Sequence, residues 1–197
     1  MNEMRENEQN LTENRAQTVK NARNFGFLAA LCMSLTILSF YIVAFSPQFQ
    51  NKNHWVLASM GALICFYVAL KALQPLCEIN LVRPFHASWA FGIAMLTAVY
   101  LKERFYSAEF MLIFFTLFTL SAISWAILNF RLVRVTQNPL FKIYAYMFIL
   151  SALSGCIAVF AKAQIGSVLH WINILITATA QALLVGAWYG VEDMEDI

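Results

Sequence analysis

The chain has 197 residues, of which 60% are apolar and only 12% charged, and its formal net charge is +2. Soluble domains carry about 25% charged residues to cover their surface. Here the few charges fall at the ends and in short connections, which excludes an ordinary soluble domain, gives no basic surface for nucleic acid, and makes lipid the expected solvent.

Residues 1–22 are polar, rich in Asn and Glu, and show no hydrophobic face. Acids are mixed among the bases from the start (Glu3, Arg5, Glu6) and no small-residue cleavage site follows, so this is not the pattern of a signal peptide. It reads as a cytoplasmic tail, mobile or forming a short helix at the membrane surface. A first span is expected over about 25–45. Ser46-Pro47 ends it, because proline lacks the backbone donor and disfavours helical geometry in the residue before it. After a short loop the second span, about 54–73, must return antiparallel beside the first.

A connection with Pro75, Glu78 and Arg83 leads to the third span, about 85–101. Lys102-Glu103-Arg104 makes a charged turn before the fourth, about 108–130. Arg131 to Asn138 is the next connection, Pro139 sits near the start of the fifth span (about 141–161), and Gly166 precedes the sixth, 168–190. Residues 191–197 form a short acidic tail with Glu192, Asp193, Glu195 and Asp196. The fold class is therefore all-α: a polytopic membrane domain over 23–190, with six transmembrane helices as three antiparallel hairpins at about 25–73, 85–132 and 141–190.

Basic residues set the orientation. With the amino terminus inside, Arg5, Arg15, Lys20, Arg23, Lys71, Arg83, Arg131, Arg134 and Lys142 are inside, and Lys52, Lys102, Arg104 and Lys162 outside, nine against four. Both termini are expected in the cytoplasm, with the protein multi-pass in the inner (plasma) membrane. A shift of about 58 residues superposes the hairpins as an internal repeat, aligning Gly61 with Thr119 and Thr177.

Helices in lipid associate through close packing and a few hydrogen bonds. Small residues at four-residue spacing (Ala90, Ala94 and Ala98; Ser151 and Gly155; Ala178, Ala182 and Gly186) are the expected packing rails, and they also suit a second copy or another membrane protein. Thr116, Thr119, Ser121 and Ser124 make the fourth span rich in hydroxyls, which bond to their own helix's carbonyls. Four cysteines without metal-ligand spacing read as packing residues, and no cofactor is expected.

Five polar residues are candidates for function. Gln181 is the one amide near mid-membrane, and it either bonds to a neighbouring helix or lines a small polar cavity; Asn173 lies closer to a helix end. Glu109 stands at the outer end of the fourth span. His54 and His170, each followed by Trp, share one depth at the outer interface. They serve as interfacial anchors, as sensors of external acidity, or as ligands of a haem or metal if their helices are neighbours. Cys77, Glu78, Arg83 and His86 form the nearest approach to a polar cluster on the inside. No glycine-rich phosphate loop, HExxH or nucleophile elbow is present, so no enzyme activity is expected.

Met60-Gly61-Ala62-Leu63-Ile64-Cys65, the Ser46-Pro47 stop, and the run Ala94 to Leu132 (small residues, a charged turn, then an apolar helix ending near Arg131) give the chain a layout that resembles the HdeD-type acid-resistance membrane proteins. The resemblance spans about 25–190 and is mostly architectural. It implies a non-enzymatic bacterial inner-membrane protein supporting tolerance of acid or envelope stress, and it transfers no site residues. Two other readings stand beside it: a small transporter or channel with a polar site around Gln181, and a haem- or metal-binding protein using His54 and His170.

Overall fold

Chain breakers set the helix ends. The computed structural model describes the backbone of residues 2–43, 53–101, 108–161, 164 and 166–191, and the side chains of these apart from 2–8, 39–43, 53–58, 95–96, 98–101, 108–111 and 159–160. Among the described residues the chain is all-helical, with no strand. The six helices are α1 (Asn2–Val43), α2 (Asn53–Leu73), α3 (Val82–Leu101), α4 (Ala108–Thr136), α5 (Leu140–Phe160) and α6 (Val168–Tyr189). Five of them contain stretches long and apolar enough to cross a membrane: Gln9–Leu38, Ser59–Leu76, Leu112–Thr136, Leu140–Ala158 and Val168–Tyr189. The remaining one, α3, has 20 residues. The expected turns at Ser46-Pro47 and Lys102-Arg104, Lys162, and the acidic tail 192–197 lie outside the described residues.

Two elements run further than the sequence suggests. The polar amino-terminal stretch does not form a separate tail; it continues as helix into the first span, giving one helix of 42 residues, or about 63 Å. No glycine or proline interrupts it before Gly26, and local bonds support it: Thr18 Oγ1 donates to Asn14 O (2.8 Å) and Gln17 Nε2 to Asn21 Oδ1 (3.1 Å). Nor is it without an apolar contact, since Val19 and Ala22 are buried in the core. Helix α4 likewise passes Phe130 and ends at Thr136, because Leu132 and Val135 are buried one turn apart and Arg131 Nη1 donates to Asn80 O in the α2–α3 connection. Gln137, with a positive φ of 52°, breaks it. Asn138 then accepts from Leu140 N (3.0 Å) to start α5 and donates to Ala187 O on α6 (2.9 Å).

The helices pack chiefly with their chain neighbours: α1 with α2, α3 with α4, and α5 with α6. Contacts of α1 with α6 and of α4 with α5 join these pairs, while α2 and α3 meet much less. The connection between α2 and α3 is tied down by Gln74, whose amide accepts from Leu81 N (2.8 Å) and donates to Ile79 O (3.1 Å).

The apolar core sits at one end of the bundle. Ala22–Ala30 of α1, Phe66–Leu73 of α2, Leu81 and Phe85, Trp125–Val135 of α4, Phe141 and Tyr144, and Leu184–Val191 supply its buried residues. Its centre is aromatic: Trp188 meets Phe141 edge-on (5.4 Å between centroids), Phe66 meets Trp125 (5.5 Å), and Trp125 Nε1 donates to Tyr144 Oη (2.7 Å). Gly26 makes room for Trp188, since a Cβ there would lie 2.0 Å from the indole Cε3. This end also carries Lys20, Arg23, Arg131 and Arg134.

Small residues do pack, though not along the expected rails. Ala90 on α3 and Ala182 on α6 are exposed. The buried face of α6 is instead Asn173, Thr177, Ala180, Gln181, Leu184, Ala187 and Trp188. On α3 the contact to α4 runs through Ser88 and Gly92, with Ser121 Oγ donating across to Ser88 O (2.9 Å). The α5 pair behaves as expected: Ser151 bonds to Thr177 and Gly155 lies against Asn173.

Candidate functional site

On a helix, side chains three or four residues apart share a face. His170, Asn173, Thr177 and Gln181 follow that spacing down α6; His170 is half-buried, and the buried face carries polar side chains over about 12 Å from Asn173 to Gln181 before Leu184. Ser167 caps the helix, its hydroxyl accepting from His170 N (3.3 Å), and so fixes where the stripe begins.

Three rungs of this stripe meet a serine on an adjacent helix. Asn173 Oδ1 accepts from Ser154 Oγ on α5 (2.6 Å), Thr177 Oγ1 pairs with Ser151 Oγ on α5 (2.7 Å), and Gln181 Oε1 lies 3.3 Å from Ser34 Oγ on α1. Ser34 also donates to its own helix at Ala30 O, at the shorter distance of 2.6 Å. One hydroxyl proton cannot serve both acceptors fully. Among the described residues Gln181 has no other hydrogen-bond partner, so in either orientation of its planar amide at least one N–H is left without a protein acceptor. This residue is 4% exposed.

These side chains line a cavity of about 630 Å³ at the end of the bundle opposite the core. α1 contributes Ile37, α4 contributes Phe114, Phe115 and Phe118, and α5 contributes Phe148, Ser151, Ala152, Gly155, Cys156 and Ala158. α6 supplies the polar wall: His170, Asn173, Thr177 and Gln181. No Asp, Glu, Lys or Arg is among these residues. An aromatic, uncharged chamber with one hydrogen-bonding wall suits a small, largely apolar molecule and disfavours a bare ion.

The structure therefore brings together three of the five candidates, Gln181, His170 and Asn173. Gln181 does both things open to it, bonding to a neighbouring helix and lining a cavity. The side chains of His54 and Glu109 lie outside the described residues. Among the described residues no group of three or more His, Cys, Asp or Glu is placed to hold a metal ion. The aligned repeat positions differ in setting: Thr177 is buried and bonded to Ser151, whereas Thr119 is exposed and bonds to its own Phe115 O (2.7 Å). Thr116 and Ser124 bond back in the same way, as expected, and are not part of the cavity wall. Around the α2–α3 connection Glu78, Arg83 and His86 are exposed, His86 stacks on Tyr67 (5.6 Å), and the Cys77 thiol donates to Leu73 O and Ile79 O (both 3.4 Å). That group makes no catalytic cluster.

Sequence reasoning missed Thr177, Ser34 and the phenylalanines of α4 as parts of one site. The i, i+4, i+8 spacing of Asn173, Thr177 and Gln181 was a signal for the first; nothing in the sequence places Phe114 and Phe118 opposite α6. A second, larger cleft lies at the core end, between Lys20 and Arg23 of α1, the Thr136–Pro139 connection and Gly190. No family model, curated protein or solved structure matches the chain.

Proposed function

We propose that this chain is a multi-pass protein of the bacterial inner membrane, non-enzymatic, that binds a membrane-soluble small molecule in the cavity walled by α6. The polar stripe His170–Gln181 facing four phenylalanines inside a space of about 630 Å³ carries this reading. It is supported by the outer surface: Leu175 on α6, Leu112 on α4 and Ile64 on α2 are all more than half exposed, as lipid-facing residues are. In this arrangement the six helices form three antiparallel hairpins, both termini are cytoplasmic, the packed core lies in the inner leaflet and the cavity opens in the outer half. A carrier or a binding protein for such molecules is the role that follows.

The test is to purify the protein in mild detergent, extract it with organic solvent and analyse the extract by mass spectrometry. A near-stoichiometric apolar molecule is expected, and it should be lost when Ala152→Phe fills the cavity. A molecule retained equally by that variant would overturn the assignment of the site. The stress-tolerance role implied by the HdeD-type resemblance is a separate proposal about physiology: a deletion strain should survive acid or envelope stress less well, and unchanged survival counts against it. The haem reading has a direct check in the visible spectrum of the purified protein.

A further inference from the structure

Resting on that binding reading, we propose a ligand class: an uncharged molecule with an apolar body and one hydrogen-bond-accepting oxygen, seated with that oxygen at Gln181 and its body among Phe114, Phe115, Phe118 and Phe148. The argument is electrostatic. Gln181 is buried, lines the cavity and has an N–H that no group among the described residues accepts. An unmade hydrogen bond of this kind is costly in an apolar setting, so an acceptor there is favoured. The acceptor must also be neutral. Among the described residues no cationic or acidic side chain lines the cavity, and a charge placed there without a partner carries a desolvation cost that one amide does not offset. His170, the titratable imidazole of the wall, is eleven positions from Gln181, about 16 Å along α6, and so belongs to the other end of the stripe.

The neighbouring rungs narrow the choice. Thr177 and Ser151 are joined by one hydroxyl–hydroxyl bond of 2.7 Å, and the Ser154 hydroxyl is shared between Asn173 Oδ1 (2.6 Å) and Ser151 O (2.9 Å). Those groups hold helices together and leave Gln181 as the point of recognition. A long-chain alcohol or ketone fits this description; a fatty-acid anion, a sulfate ester and a quaternary amine do not.

The experiment uses the full chain in lipid nanodiscs with a diazirine-bearing decanol as photoprobe, and maps the labelled peptides. Labelling is expected on α4 and α5 around Phe114–Phe118 and Ala152–Cys156. Unlabelled 1-decanol should compete, whereas decyl sulfate and decyltrimethylammonium at the same concentration should not. Gln181→Leu and the closer isostere Gln181→Met should each lower the labelling about five- to tenfold. Equal competition by the ionic probes, or full labelling in both variants, overturns the ligand class while leaving a binding cavity in place. Absence of any competable label in this region overturns the binding reading itself.

Discussion

Gly26 illustrates how one missing side chain fixes an interface. A Cβ at this position would sit 2.0–2.4 Å from three atoms of the rigid Trp188 indole, which is itself pinned by Phe66 and Phe141. Gly26→Ala must push the ring or the helix aside, and overpacking of this kind costs about 1–3 kcal/mol. Gly61 is the control: it is equally mid-helix, yet nothing lies within 4 Å of the Cβ it would gain. Thermal unfolding in detergent should therefore show a lowered midpoint for Gly26→Ala and an unchanged or raised one for Gly61→Ala, since alanine is the better helix former by about 0.5–1 kcal/mol. Cys77 gives a second prediction at this scale. Burial pushes its thiol above the ordinary value, partly offset by the Ile79 backbone, so the neutral form is favoured. The thiolate is the reactive form. Alkylation of Cys77 by iodoacetamide should then be slow near neutral pH, and its pH–rate midpoint should lie above that of a free cysteine; a midpoint at or below it would contradict the burial.

At the scale of elements, α6 holds both the polar wall and part of the core, and the two halves of one face divide the work. The upper half joins α5 through paired hydroxyls and amides, each such interhelical bond contributing about 0.6–2 kcal/mol in a membrane setting. Ser151→Ala and Thr177→Val should each lower stability by about that amount. The double variant should lose little more than either single one, because both remove the same 2.7 Å contact. Strict additivity in that cycle would show that the pair does not interact. How much of this was legible differs by element. Helix positions followed from the apolar runs and breakers, and the starts of α5 and α6 fell close to Pro139 and Gly166. The continuity of α1 did not, because a polar helix shows no amphipathic pattern until Val19 and Ala22 find a neighbour supplied by tertiary packing. The alanine rails misled for a related reason: in lipid both the buried and the exposed face of a helix are apolar, so spacing alone does not tell them apart. Polar residues carry the clearer signal there, since Asn173, Thr177 and Gln181 must turn inward.

For the whole molecule, what matters is that packing is uneven from end to end. Trp125, Phe66, Phe141 and Trp188 close one end, whereas the other end holds a chamber that α1, α4 and α5 form with α6. From the distribution of basic residues the closed end is expected inside, and this expectation can be checked without reference to any ligand. Asn10 and Gln164 are exposed positions at opposite ends of the bundle. In a chain whose native cysteines are replaced, Gln164→Cys should react with a membrane-impermeant maleimide added to intact spheroplasts, while Asn10→Cys should react only after lysis. The reverse pattern would place the chamber in the inner half and the aromatic core outside. The charge asymmetry argues against that outcome, because α1 and the last turns of α4 would then carry Arg15, Lys20, Arg23, Arg131 and Arg134 to the wrong side. In the proposed orientation, a ligand of the proposed class dissolved in the outer leaflet would reach Gln181 without crossing the core, and the closed end would keep it from passing further while the bundle holds this shape.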